Sequence, residues 1–420
     1  MSQSRQPQFS EFSVQLTKSL SKTTKKEFGI FFTPQSIIKD LTTTVLKHTS
    51  IRQPNVLEPS CGSCEFIRHL DTVLSGATIT GIEYNSEIYN KIKLLETNGT
   101  FSNNVVSIQN ADFMKTVSEP IYDIIIGNPP YFVCPKESVP LKYVKYNSGR
   151  PNIFGLFILH SLSQLKNEGI LAFIIPKSFL NSAYYSLIRN YIRETCEIIE
   201  IKDYRDFNDF LETAQETISI VLKKKENIDN SIRNCEYSMK INENWIFTHS
   251  AQSIKRLLEN TYTLKQLGFC VKTGNIVWNQ KKDLITTHHH PDNTSILFYN
   301  TNITDNNTIK LTEFKNEEKG QYIKLTGTTE PSIVVNRGNG NSAYHFKYAL
   351  IDQQSPYLVE NHLNVITYVE DLNRNQLMEK FNTIIRSFEN PKTHEFIELF
   401  FGNGGLSKTE LETVLPIYVD

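Results

Sequence analysis

Nowhere in the 420-residue chain do about 18 apolar residues follow one another, so a membrane-crossing helix is not expected. The first 27 residues, from MSQSRQPQFS onward, contain no apolar signal core and are expected to form a polar, flexible segment. Cysteine is scarce, six in all. That is too few for a disulfide framework at this length and points to a reducing, intracellular setting, the cytoplasm or wherever the substrate resides. Charge of one sign is lacking too: 44 Lys and Arg stand against 45 Asp and Glu, a net charge of −1. The balance excludes an indiscriminately basic nucleic-acid binder, although basic residues can still be gathered on one face. Lys136, Lys142, Lys145 and Arg150 form one such cluster, with others at 223–225 and at Lys281-Lys282. Each cluster also fits ordinary solvated surface. No internal repeat is evident.

What the chain does have is length: at 48.4 kDa it exceeds one ordinary core, and two domains are expected. Between about 28 and 225, short apolar runs alternate with helical stretches. NVLEPS (55–60), TITGIEY (78–84), VVSIQNADF (105–113), YDIIIGN (122–128), ILAFIIP (170–176) and ISIVLKK (218–224) read as strands, and 153–166 and 179–194 as helices. Near-continuous apolar strands separated by helices predict an α/β domain with a mostly parallel sheet covered on both faces. KKKENIDNSIRN breaks the pattern and reads as a linker. The expected division is 1–27 flexible, 28–235 the parallel-sheet domain, and 236–420 a mixed α+β domain with late helices around 371–400.

The stretch IYDIIIGNPPYF (121–132) ends a dense apolar run in a polar, aromatic-flanked turn. Proline offers no ladder donor and restricts the residue before it, so Asn128-Pro129-Pro130 lies outside the sheet in a nearly fixed shape. Such a turn holds one amide and one ring rigidly at the mouth of a sheet. Other strand ends are equally loaded. VLEPSCGSCEFI (56–67) is a strand, a tight turn at Gly62 and a helix, and ligands of open parallel sheets sit beyond such strand ends. Glu83, about 20 residues on, is suited to ribose hydroxyls. Asp112 offers an acceptor for an adenine amino group, and Phe113 a ring to pack on it. Glu58, Glu83, Asp112 and Asn128 thus close four successive strands.

Together these residues resemble γ-class S-adenosylmethionine-dependent amino-methyltransferases that act on DNA adenine in restriction–modification systems. GIFFTPQSIIKDL (29–41) is similar to the family's N-terminal cofactor motif, LEPSCGSCEF to its first motif, GIEYN to the second, NADF to the third and GNPPYF to the catalytic one. The resemblance runs almost continuously from about 28 to 225 and implies a Rossmann-like methyltransferase domain. It implies S-adenosyl-L-methionine as cofactor, held by Thr33, Pro34, Glu58, Pro59, Ser60, Cys61, Gly62, Glu83, Asp112, Phe113 and Pro130. Cys64 departs from the pattern, standing where the family often has a second glycine. Cys61 and Cys64 have a C-x-x-C spacing, but with no second ligand pair they read as loop residues rather than a zinc or redox site. The triple histidine at 288–290 reads likewise as an exposed loop, and no metal is expected.

The exocyclic amine of adenine is a poor nucleophile because its lone pair is delocalised into the ring. Hydrogen bonds accepted from both N–H groups, by the Asn128 side chain and the Pro129 carbonyl, draw the nitrogen toward sp³ character, provided Pro129 and Pro130 fix their spacing. Tyr131 offers a ring for stacking. A duplex base must be flipped out to reach this turn; DFLETAQETISIVL (209–222) resembles the segment that supplies a second ring, at Phe210 or, in competition, Phe207. Cytosine-C5 chemistry needs a Pro-Cys order, whereas here Cys134 precedes Pro135. The segment after 236 resembles target-recognition domains at 273–284, 331–341, 358–366 and 406–417, and implies double-stranded DNA as partner. Asn279, Gln280, Arg337 and Asn339 carry groups that read base edges, as does Asn336, and Lys281 suits phosphate. Turn-forming Asn and Gly in ordinary loops fit the same positions. The family further implies a monomer and, as a partner, a restriction endonuclease of the same site. N4 of cytosine, a protein glutamine or an RNA base as acceptor, and an inactive DNA-binding module remain as alternatives.

Overall fold

The structure, a computed structural model, describes residues 9–21, 33–147, 149–204, 216–226, 236–242, 244–316, 318–338, 344–401 and 405–419. The chain divides into two compact units, Met1–Ala251 and Gln252–Asp420. Among the described residues no helix is long and apolar enough to cross a membrane.

In the first unit the helices are α1 (Glu11–Ser19), α2 (Gln35–Lys47), α3 (Glu65–Val73), α4 (Ser86–Thr97), α5 (Ile153–Gln164) and α6 (Ser186–Thr195). The strands of its sheet are β1 (Asn55–Glu58), β2 (Thr78–Glu83), β3 (Val105–Asn110), β4 (Tyr122–Gly127), β5 (Leu165–Pro176), β6 (Cys196–Asp203) and β7 (Thr217–Lys224). They lie in the order β3-β2-β1-β4-β5-β7-β6, parallel except for β7, which is antiparallel to both neighbours. Ile124, Ile125 and Ile126 are fully buried, as a strand sandwiched between helix layers requires. One face packs with α1 to α4 through Leu16, Ile37, Ile67 and Ile88, the other with α5 and α6 through Phe154, Leu159 and Ile188. This is a Rossmann-like α/β fold. Its strand order reverses between β1 and β4, and the crevice beyond their carboxyl ends, at Glu58 and Gly127, is where such a sheet receives a ligand.

Two expectations about boundaries are corrected. The segment 1–27 is not flexible throughout: the Ser10 side chain caps α1 by accepting from Ser13 N at 3.1 Å, and Phe9, Leu16 and Leu20 are buried in the sheet's core. An apolar stripe spaced three and four residues apart was hidden there in an otherwise polar composition. The second unit begins not at 236 but after 251, because the hairpin of β8 (Ser238–Ile241) and β9 (Asn244–Phe247) belongs to the first. Arg189 on α6 explains it. Its buried guanidinium donates to the carbonyls of Trp245 (2.8 Å), Phe179 (2.9 Å) and Ser182 (2.8 Å), and burial lowers its pKa to about 9. β6 was also unmarked in the sequence, its isoleucines being interleaved with charge.

The second unit is mixed α+β. Its strands β10 (Phe269–Thr273), β11 (Ile285–Thr286), β12 (Ser295–Phe298), β13 (Tyr322–Ile323), β14 (Ser332–Asn336), β15 (Tyr348–Ile351), β16 (Tyr357–Val359) and β17 (Leu363–Tyr368) form two sheets, β10-β17-β14-β15 and β11-β13-β12-β16. Helices α7 (Ala251–Leu258), α8 (Arg374–Glu389), α9 (Pro391–Phe400) and α10 (Lys408–Thr413) accompany them. Gly405 has φ +81°, and a Cβ there would lie 1.9 Å from the carbonyl oxygen of Arg337. Gly405→Ala is therefore expected to lower the unfolding free energy by about 2 kcal/mol or more. A denaturant titration checks it, and an unchanged midpoint would mean that the backbone yields at no cost.

Candidate active site

At the crevice between β1 and β4 lies a cavity of about 440 Å³. The ends of β1 to β4 deliver to it Glu58, Pro59, Ser60, Cys61 and Gly62, then Glu83, then Asp112 and Phe113, and finally Asn128 and Pro130; Thr33 faces it from the segment before α2. Of the expected cofactor residues, only Pro34 is not on the lining. It heads α2, its carbonyl accepting from Ile37 N and Ile38 N. Pro129 and Tyr131 stand behind the wall.

The turn after β1 achieves its shape with two left-handed residues, Gly62 at φ 50° and Cys64 at φ 61°. Where a glycine would take that conformation without strain, Cys64 takes it with a fully buried side chain. Cys61 and Cys64 are both free thiols, and burial pushes the Cys61 thiol well up. The turn is tied to the next strand by Glu83, whose carboxylate accepts from Gly62 N (3.0 Å) and Asn85 N (2.7 Å) while burial raises its pKa. Glu58 is more exposed to conflict. Its carboxyl is buried and pairs with the Ile67 N–H at the start of α3, yet its Oε2 has no partner, and desolvation lifts its pKa well above the ordinary value.

Asp112 caps the turn 113–115 by accepting from Met114 N at 3.0 Å, with Lys115 Nζ 3.5 Å from its other oxygen. The turn sets Phe113 against Phe157 (4.8 Å between centroids) and His160 (4.7 Å). Burial lowers the His160 pKa to about 4, so the ring behind Phe113 is neutral at physiological pH. Just past β4, the Asn128 Nδ2 donates to Thr33 Oγ1 at 3.2 Å, and Ser60 Oγ donates to the Asn128 carbonyl at 3.1 Å. The Tyr131 hydroxyl reaches both Asn128 Oδ1 and, at 2.8 Å, the Ile174 carbonyl. An amide oxygen carries two lone pairs, so Asn128 Oδ1 can accept from a second donor beside Tyr131. The Tyr131 ring stands edge-on to Phe154 at 6.2 Å.

Sequence reasoning missed Glu65. It lines the cavity at 5 % exposure and is gripped by the Ser10, Ser13 and Gln35 side chains, while Ser13 Oγ also reaches Ser63 Oγ at 2.7 Å. An acid in the first turn of α3 was visible in the sequence, but partners 50 residues upstream were not. Phe210, its competitor Phe207, and Asn339 lie outside the described residues. Asn279, Gln280 and Lys281 are exposed together on a 3-10 turn of the second unit. Arg337 is half-buried, with Nη1 donating to the Asn361 carbonyl at 2.9 Å, and Asn336 is buried with its side chain bonded to the backbone of His345 and Lys347.

Residues 10–210 match the family described as the Eco57I restriction-modification methylase. That span is 201 of the 420 residues, and over it the chain is similar to restriction–modification methylases. The chain is 25% identical over 419 residues to the Type II methyltransferase M.CvrRI of Paramecium bursaria Chlorella virus XZ-6E, covering 98% of this chain and 99% of that one. It is 28% identical over 432 residues to the modification methylase CviBIII of Paramecium bursaria Chlorella virus NC1A, again over 98% and 99% of the two chains. Among solved structures, the type IIG restriction endonuclease BpuSI aligns over 97% of this chain and 61% of that one, with 12% identity and a TM-score of 0.46.

The similarity to methyltransferases implies S-adenosyl-L-methionine as cofactor, and the cavity suits it. When bound, it supplies a methyl group made electrophilic by a sulfonium. Among the described residues the lining carries four carboxylates, on Glu58, Glu65, Glu83 and Asp112, and no lysine or arginine, which suits a cationic ligand. The orphaned Glu58 Oε2 offers an ammonium its counter-ion, Glu83 offers acceptors for ribose hydroxyls, and Asp112 and Phe113 an acceptor and a ring for adenine.

Proposed function

We propose that the protein is a site-specific γ-class DNA methyltransferase that methylates N6 of an adenine flipped out of double-stranded DNA. The observation that carries the reading is that Asn128 and Pro130 line the same cavity as Glu58, Glu83, Asp112 and Phe113. The acceptor of an amine proton is thereby held beside the residues suited to the methyl donor. In this reading Asn128 Oδ1 and the Pro129 carbonyl accept the two N–H groups of the target amine and free its lone pair, Thr33 fixes the Asn128 amide by holding its NH₂, and the prolines remove the slack that would otherwise oppose the reaction. Burial keeps the Tyr131 hydroxyl protonated, so it is a donor and not a base. Adenine rather than cytosine-N4 follows from the resemblance, since Ser is common in the Asn128 position among N4 enzymes. The full-length match to two virus-encoded proteins named as Type II and modification methylases supports DNA as substrate. The second unit then reads the target sequence, with Asn279, Gln280, Lys281 and Arg337 as its contacts, and Phe210 supplies the second ring. A restriction endonuclease of the same site is the fitting partner.

Single-molecule sequencing of plasmid DNA from a methylation-deficient host expressing the chain tests this. N6-methyladenine at one short repeated motif is the expected result. N4-methylcytosine at a motif would keep the role of Asn128 and correct the base. Unmodified DNA from folded, cofactor-binding protein would sink the proposal in favour of a protein or RNA substrate or an inactive binder.

A further inference from the structure

The rim of the cavity continues into a segment the proposed chemistry does not use. Phe132, Cys134, Pro135 and Ser138 line the cavity, and the chain then enters a six-residue 3-10 helix, Leu141–Tyr146. Side chains three apart eclipse one another in a 3-10 helix, so LKYVKY sorts into three rows. Tyr143 and Tyr146 turn inward: the Tyr143 hydroxyl meets His160 Nδ1 at 2.9 Å, and the Tyr146 ring lies 4.8 Å from that of Tyr191. Lys142 and Lys145 form an exposed basic row, Lys142 reaching Ser118 Oγ. Leu141 and Val144 form an apolar row that nothing among the described residues covers, at 93% and 51% exposure, with Val133 nearby in sequence at 59%.

A leucine so exposed on a single loop would mean little. Here it stands on an element anchored by two tyrosines and entered through Pro135 and Pro140, beside the mouth of a cavity. The surroundings are cationic: between 132 and 150 lie Lys136, Lys142, Lys145 and Arg150 against the one acid Glu137, in a chain whose net charge is −1. An apolar ridge flanked by cations is complementary to stacked bases flanked by phosphates. Apolar side chains inserted between base steps stabilise an opened duplex, and an extruded base leaves such a gap.

We infer that the 141–146 element is a wedge for double-stranded DNA, with Leu141, backed by Val144, occupying the space vacated by the flipped base and Lys142 and Lys145 holding the adjoining phosphates. The inference rests on the proposed DNA substrate. Because Leu141 is almost wholly exposed, its removal leaves the fold and the cofactor cavity intact, and its effect on DNA can be read directly.

The test compares the full-length protein with Leu141→Ala and with Lys142→Ala/Lys145→Ala on two duplexes. In one the target adenine is paired normally; in the other it lies opposite an abasic site and is already unpaired. Leu141→Ala is expected to lower kcat/KM on the paired duplex on the order of 10- to 100-fold and to lose far less on the unpaired one. The lysine pair is expected to weaken binding to both duplexes alike and to flatten the dependence of log affinity on log salt by about 1.8. Equal losses for Leu141→Ala on both duplexes, or none on the paired one, would overturn the wedge. Wild-type protein that binds cofactor yet methylates neither duplex would instead refute the DNA substrate itself, and the wedge with it.

Discussion

An Asn128→Ala enzyme is expected to bind S-adenosylmethionine with nearly unchanged affinity and to lose methyl transfer by at least about 10²–10³-fold. The side chain lies on the cavity wall hydrogen-bonded to Thr33 and Tyr131, whereas the carboxylates that hold the cofactor in the proposed arrangement are those of Glu58, Glu83 and Asp112. Deleting it removes an acceptor that matters when the amine rehybridises. It should not remove contacts made in the ground state. Calorimetric titration with the cofactor, set beside methyl transfer to the motif identified by sequencing, separates the two. Asn128→Ser retains an acceptor on a shorter arm and is expected to fall between wild type and Ala. Loss of cofactor binding in step with activity would assign Asn128 to the cofactor site and leave the amine without its proposed partner.

Glu58→Gln should move two properties in opposite directions. In the cofactor-free protein the Glu58 carboxylate is buried with one oxygen orphaned, and its pKa is raised well above 4.5. For a carboxyl raised on folding, the folded state binds the proton more tightly, so stability falls as pH rises from about the unfolded value through the folded one and stays low above it. Gln carries no charge to desolvate and keeps an oxygen for the Ile67 N–H. The cofactor-free variant is therefore expected to be more stable than wild type by about 1 kcal/mol or more at pH 8, and no more stable at pH 4. Cofactor affinity should fall on the order of 10²-fold or more, because a buried cation loses its partner. The part of the rise of affinity with pH that comes from ionisation of Glu58 should be lost with it. Thermal melts with and without cofactor at the two pH values read all of this. A variant that is less stable and binds normally would mean that Glu58 is a structural cap of α3 and nothing else.

Much of this was legible in the sequence because parallel-sheet strands write themselves as apolar runs and the ligand-facing residues follow them directly. Glu58, Glu83, Asp112 and Asn128 needed only that rule, and the cavity gathers all four. What escaped was either dilute or distant. The nine residues of α1 bury an apolar stripe within a polar stretch, and β6 mixes isoleucine with glutamate and lysine, so neither rises above its surroundings in composition. The grip of Ser10 and Ser13 on Glu65 joins residues more than 50 apart, and no local pattern announces such a pairing. The direction of a side chain was also out of reach. The sequence offered the ring of Tyr131, whereas the structure engages its hydroxyl.

The Arg189 guanidinium bears on how the protein is made. During translation the last sheet strand, β7, leaves the ribosome at Lys224, and a nascent chain of that length already holds every strand of the large sheet. The cation it must bury, however, still lacks one acceptor, the Trp245 carbonyl, which is synthesised 21 residues later. A buried charge short of a partner disfavours the compact state. The catalytic unit should therefore commit to its native core only when the β8–β9 hairpin emerges, so that the hairpin acts as a closing signal for co-translational folding of the residues before it.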